Sequence, residues 1–253
     1  MINNIIKTEL YKLYKSKSYL VNLILLTGFF VLSFILTYCV KETRPTYEVY
    51  LLYIYAVNTS CLFPFAIVMV FASIVTDEFS NGTIKILSGS VFSKIEIFIG
   101  KFVVACISFF SSFILLLFIY FIFLTVFYKI NSSQMFMVFN QTEVIKRFII
   151  VSFTQVIYLI CFASFVYLIS WIIKKKSLLI IICLAVTIAA NSLPPLPYGI
   201  GDYIFLKNST IYTMFVRDTF NYFTVLKNIC VNISTMSLFF IVGVLIIHKK
   251  ELY

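Results

Sequence analysis

Catalysis within a membrane needs a nucleophile with its base, a set of metal ligands or a proton carrier. In this 253-residue chain the side chains of those types are few and scattered. Cys39, Cys61, Cys106, Cys161, Cys183 and Cys230 stand singly with no CxxC pair, so they read as small apolar packing residues and not as metal ligands or disulfide partners. The sole histidine, His248, is followed by Lys249 and Lys250 and reads as a polar helix terminus. Gly100-Lys101 lacks the earlier glycine and the following hydroxyl residue of a phosphate-binding GxxxxGK[ST] loop. No catalytic residue, metal site or bound cofactor is expected on this chain.

The remaining charged and polar candidates suit the transmission of force better than the making of bonds. Ile2, Ile5, Ile6, Leu10, Leu13 and Tyr14 recur at helical spacing, with Asn3, Asn4, Lys7, Lys12 and Lys15 on the opposite face. Residues 1–17 therefore read as an interfacial amphipathic helix. Glu9 falls on its apolar stripe, where a carboxylate is costly. It either finds a protein partner or swings to the rim to pair with Lys12. A second cluster lies in 77–101. There Thr76 or Asp77 can cap a short helix, Asn81-Gly82 can end it, and Thr83 opens an amphipathic piece with Ile84, Lys85, Ile86 and Leu87. Ser93-Lys94-Ile95-Glu96 then has the spacing of a capping box.

These residues must be positioned by membrane helices. The chain is 62% hydrophobic and 12% charged with mean hydropathy +1.04, far from the composition of soluble domains. A span needs roughly 20 apolar residues to cross about 30 Å of hydrocarbon. Six stretches free of Asp, Glu, Lys and Arg meet or approach that length: Tyr19–Val40, Tyr50–Thr76, Phe102–Tyr128, Phe148–Ile173, Ser177–Leu193 and Asn228–Ile247. The expected fold is a single all-α transmembrane domain over 1–253, with six spans and a cytoplasmic elbow between the second and third. Pro194-Pro195-Leu196-Pro197 ends the fifth span, and 194–227, rich in aromatic residues, reads as an outer-face loop or re-entrant segment.

With a cytoplasmic N-terminus, twelve of the 20 Lys and Arg residues fall inside and eight outside, which places both termini in the cytoplasm. The net charge of +10 is spread over span ends, where it meets anionic lipid and not nucleic acid. Abundant Lys, Ile, Asn and Phe suit an AT-rich bacterial genome, and hence a bacterial cytoplasmic membrane. Carriers driven by protons keep ionisable groups inside their spans, whereas sodium can also be held by backbone and hydroxyl oxygens. Spans without charge thus argue for an outside source of power. Uncharged polar residues do occur within them, among them Asn58, Thr59, Ser60, Gln155 and Asn232. These either line a substrate path or hydrogen-bond neighbouring helices.

Two stretches resemble the permease subunits of type-2 ATP-binding-cassette (ABC) exporters, the group that includes bacitracin-resistance and lantibiotic-immunity transporters. One is Glu9-Leu10-Tyr11-Lys12-Leu13-Tyr14-Lys15-Ser16-Lys17. The other is Glu78-Phe79-Ser80-Asn81-Gly82-Thr83-Ile84-Lys85-Ile86-Leu87-Ser88, continuing through Ser93-Lys94 to Gly100-Lys101. Ser90 stands where family members commonly have proline. The resemblance implies that the elbow is a coupling helix docking on a separate ATPase chain. Two ATPase copies would carry ATP and Mg, and a second permease, identical or sister, would complete the assembly. Glu78 would then form a salt bridge to the N-terminal lysines or to the ATPase, or remain a solvated helix-start carboxylate. The implied cargo is an antimicrobial peptide or other amphipathic compound. The rival function is a non-transporting scaffold, assembly or sensory partner.

Overall fold

The computed structural model describes residues 2–15, 63–82, 93–128, 142–192, 203–206 and 221–249, with positions 20, 21, 23, 24, 27, 28 and 31. All the regular structure among them is helical. The helices are α1 Ile2–Lys15, α2 Phe63–Asn81, α3 Lys94–Tyr128, α4 Thr142–Ile172, α5 Lys176–Ser192 and α6 Tyr222–Lys249. Within α2, α3, α4 and α6 lie apolar runs long enough to cross a membrane: Phe63–Asn81, Lys94–Leu115, Phe153–Ile172 and Tyr222–Lys249. At 17 residues α5 is shorter, about 26 Å at about 1.5 Å per residue. Most of Tyr19–Val40, the first expected span, lies outside the described residues, as do the first 13 positions of the second (50–62).

Several boundaries move from those expected. Neither Thr76 nor Asp77 starts a new helix, because α2 continues through both to Asn81. The Thr76 hydroxyl instead donates to the Ala72 carbonyl at 2.7 Å, a bond made inside a helix. α2 stops at Gly82, whose φ of +67° is a left-handed conformation that side-chain-bearing residues rarely adopt. α3 begins at Lys94, where the expected capping box forms, ahead of the apolar span expected from Phe102. The Ser93 hydroxyl accepts from the Glu96 N–H at 3.2 Å, and the Glu96 carboxylate accepts from the Ser93 N–H at 3.0 Å, a reciprocal capping box. The third span is therefore preceded in the same helix by charged residues, Lys101 among them. α6 starts at Tyr222, inside the expected 194–227 loop, because the Asn221 side chain accepts from the Phe223 N–H at 3.0 Å.

The core is organised around α4, which packs along α6 on one side and α2 on the other. Tyr158, Leu159, Phe162, Val166, Tyr167 and Trp171 are buried along it. Lipid is as apolar as these side chains, so close packing and internal hydrogen bonds must hold such helices together. Tyr167 supplies both. Its ring lies 4.8 Å from Phe98 and 5.2 Å from Phe102 of α3, and its hydroxyl donates to the Phe98 carbonyl at 2.6 Å. Phe102 meets Phe240 of α6 edge-on at 4.6 Å. In the segment before α6, Phe205 packs against Phe165 and Phe239 at 5.8 and 5.5 Å. Phe239 lies about 25 Å along α6 from Tyr222, so this segment reaches well into the bundle.

α1 uses its apolar stripe against protein. Ile5 and Leu13 are buried, the latter with Val104, and α1 lies along α3. The approach depends on Gly100, where a Cβ would come 2.8 Å from the Ile5 Cγ2. Gly100→Val should cost about 1–3 kcal/mol by overpacking a β-branched neighbour. Gly28→Ala, with nothing within 4 Å of its Cβ, should be nearly neutral. Thermal unfolding in detergent compares them, and equal stability would contradict the close crossing.

Candidate functional site

A single stretch of α3 decides the electrostatics at one end of the bundle. The capping box fixes the start of α3, and two turns later Lys101 faces inward with no exposure to water. An isolated ammonium in such surroundings is costly, so opposite charge must reach it. It does so from two helices. Glu9 of α1 places Oε2 at 2.8 Å and Glu78 of α2 places Oε2 at 2.6 Å from the Lys101 Nζ. The second oxygen of each carboxylate turns to Lys12, at 2.9 Å from Glu9 and 3.4 Å from Glu78. Lys12 is about half exposed and closes the cluster on the solvent side. Two ammoniums and two carboxylates thus balance, and three helices meet at one point.

The local sequence explains the convergence. Ile5, Glu9 and Leu13 repeat every four residues and share the buried face of α1, so the contact that seats Ile5 on Gly100 also delivers Glu9 to the adjacent Lys101. On α2, neighbouring side chains diverge by about 100°, so Glu78 turns toward α1 and α3 while Asp77 turns toward α5. There the Asp77 oxygens accept from Lys176 at 3.1 and 3.2 Å. That pair is partly solvated and contributes little to stability.

Burial pushes the Glu9 carboxyl up, but the charge and hydrogen bond of Lys101, helped by Lys12, outweigh it and hold Glu9 below its usual range. Burial likewise works against charge on Lys12, and the bonds and charges of Glu9 and Glu78 overcome it to raise Lys12 above its ordinary 10.5. A lowered carboxyl stabilises the fold above its free value and loses that contribution as pH falls through the lowered one. A raised amine loses its contribution only as pH rises through the raised value. The two contributions are therefore complete together between about 4.5 and 10.5. The charges satisfy one another, which makes the cluster a joint between helices.

Of the other candidates from sequence, Gly82 closes α2, Ser93 caps α3 and Lys94 is its first residue. Thr83, Ile84, Lys85 and Leu87 lie outside the described residues, as do Asn58, Thr59 and Ser60. Gln155 of α4 and Asn232 of α6 are buried in the bundle and take no part in the ion pairs of Lys101. Neither Gln155 side-chain polar atom has a hydrogen-bond partner among the described residues. Nearby, Cys161 and Thr235 join α4 to α6 through a 3.0 Å contact of thiol and hydroxyl. Glu9 has both of the outcomes open to it, a buried partner and Lys12. Lys101 was legible only as a positive charge near a span. The capping box held the missing signal, since starting the helix at Lys94 puts Lys101 inside it.

Residues 5–192 match the protein family described as ABC-2 family transporter protein, a stretch that runs from α1 through α5. The chain belongs to that family. It is accordingly a multi-pass membrane permease, a transport subunit without catalytic activity of its own, and permeases of this family generally pair with ABC ATPase subunits. A search among curated proteins returned no match.

In this permease, Lys101→Met leaves the buried Glu9 and the partly buried Glu78 without their shared cation and should cost about 3–5 kcal/mol. Glu9→Gln should cost less and should flatten the loss of stability on acidification, because the depressed carboxyl is gone. Thermal unfolding in detergent from pH 3 to 8 checks both. An acid limb unchanged in Glu9→Gln would contradict the assignment.

Proposed function

We propose that the permease works as the membrane half of an ATP-driven exporter in a bacterial cytoplasmic membrane. The reading includes six spans, cytoplasmic termini, two ATPase chains carrying ATP and Mg, and a second permease that is a copy or a sister. The observation that carries it is the ion cluster. Glu78 and Lys101 stand on the two helices that flank 83–92, and Glu9 and Lys12 bind α1 to both. A push delivered to that segment by a closing pair of ATPases would move α2, α3 and α1 as one unit. On this reading Asp77, Gly82, Ser93 and Lys94 frame the coupling segment, and Thr83, Ile84, Lys85 and Leu87 meet the ATPase.

The cargo class proposed is an antimicrobial peptide or other amphipathic compound cleared from the membrane, which would serve resistance or immunity. Unpartnered polar atoms at the buried Gln155 support a path for such a molecule between α4 and α6, with the buried Asn232 as its candidate on α6. The depth reached by Phe205 supports a re-entrant course for part of 194–227.

Replacing Ile84 and Leu87 together by Asp should abolish recovery of the ATPase with the permease in mild detergent while membrane insertion is unchanged. Undiminished recovery would count against coupling through this segment. If no ATPase accompanies even the unaltered permease and its deletion leaves export intact, the scaffold role replaces the exporter.

A further inference from the structure

On the far side of Asp77 from the ion cluster, the end of α2 and the turn between α4 and α5 border an open cavity of about 690 Å³. Phe79 and Ser80 of α2 line it, with Lys174 and Lys175 of the turn and Lys176 and Ser177 of α5. We propose that this cavity holds the headgroup of an anionic phospholipid. Three ammoniums face one carboxylate there, and that carboxylate, Asp77, is taken by Lys176. The charge left over is positive and comes from Lys174 and Lys175, both exposed. Lys174 is held 5.3 Å over the ring of Phe79, which fixes it at the cavity wall.

The start of α5 adds to the attraction for an anion. The Lys175 carbonyl accepts the Leu179 N–H at 3.1 Å, which makes Lys175 the residue flanking the first turn. A lysine side chain has no acceptor, so it cannot cap the first N–H groups of α5, where the positive end of the helix dipole also lies. Anions bind readily at such ends.

A lipid fits better than a free anion because of what continues along α5. Leu178, Ile181, Ala185 and Ile188 are exposed and recur at helical spacing, forming an apolar stripe that starts beside the lysines. A headgroup phosphate in the cavity would leave its acyl chains lying along that stripe. Basic pockets between spans are suited to such headgroups. This inference requires only that α5 lies in a bilayer, so it stands or falls separately from the proposed cargo and direction of transport.

The test is native mass spectrometry of the full-length permease in detergent with equal phosphatidylglycerol and phosphatidylcholine. Phosphatidylglycerol should be retained selectively. K174Q/K175Q should reduce its retention about tenfold or more, and K174R/K175R should preserve it. Millimolar inorganic phosphate should not displace it. Unchanged retention by K174Q/K175Q would overturn the proposal, as would displacement by inorganic phosphate, which would mark a site for a soluble anion. Loss of the ATPase from K174Q/K175Q with lipid retention intact would also overturn it, making the patch a protein contact.

Discussion

The ammonium of Lys101, wholly removed from water, is tolerable only while two carboxylates from other helices stay within hydrogen-bonding distance. That requirement fixes where α1 lies, how far α2 extends beyond its apolar run, and which face α3 turns inward. Each of these is met by a local device. Gly100 leaves room for Ile5, Glu9 sits on the buried stripe of α1, and the helical continuation past Thr76 carries Glu78 to the cluster. Replacing the cluster by apolar residues of similar size is often neutral or stabilising in proteins. Its presence is therefore better understood as a specification of geometry than as a source of stability.

The remainder of the bundle is held by different physics. Around α4 the contacts are aromatic edges and faces, the Tyr167 hydroxyl on the Phe98 carbonyl, and a close meeting of α3 and α6 at Gly243, where a Cβ would lie 2.8 Å from the Phe98 ring. Phe98 belongs to the same stretch of α3 as Lys101. The charged joint and the aromatic core thus share one helix, so a displacement of α1 and α2 at the joint is felt by α4 and α6. This continuity links the charged joint to the aromatic core of the transport subunit through α3.

Much of this was legible in the sequence, and the misses have physical causes. Apolar length gave the membrane class, because a helix of about 20 apolar residues crosses the hydrocarbon with its backbone hydrogen bonds made internally. Helix ends marked by Asn81-Gly82 and by Ser93 with Glu96 were readable from capping chemistry. The third span was bounded at Phe102, where apolarity becomes uninterrupted, and that bound left the buried Lys101 just outside it. A helix may enter the membrane region carrying a charge when partners come to it, and those partners were 92 and 23 residues away in sequence, Glu9 and Glu78. Periodicity showed that Glu9 needed a partner but could not say which helix supplied it. Asn221 as the cap of α6 was obscured by the aromatic run around it.

The central claim is that Lys101 locks α1 to α2. Spin labels at Tyr11 and Ser80, both exposed, in a cysteine-free background would report the distance between these helices by pulsed electron resonance. The account predicts a single narrow distribution in the unaltered permease and a broadened or shifted one in Lys101→Met. An identical distribution in the two would contradict it.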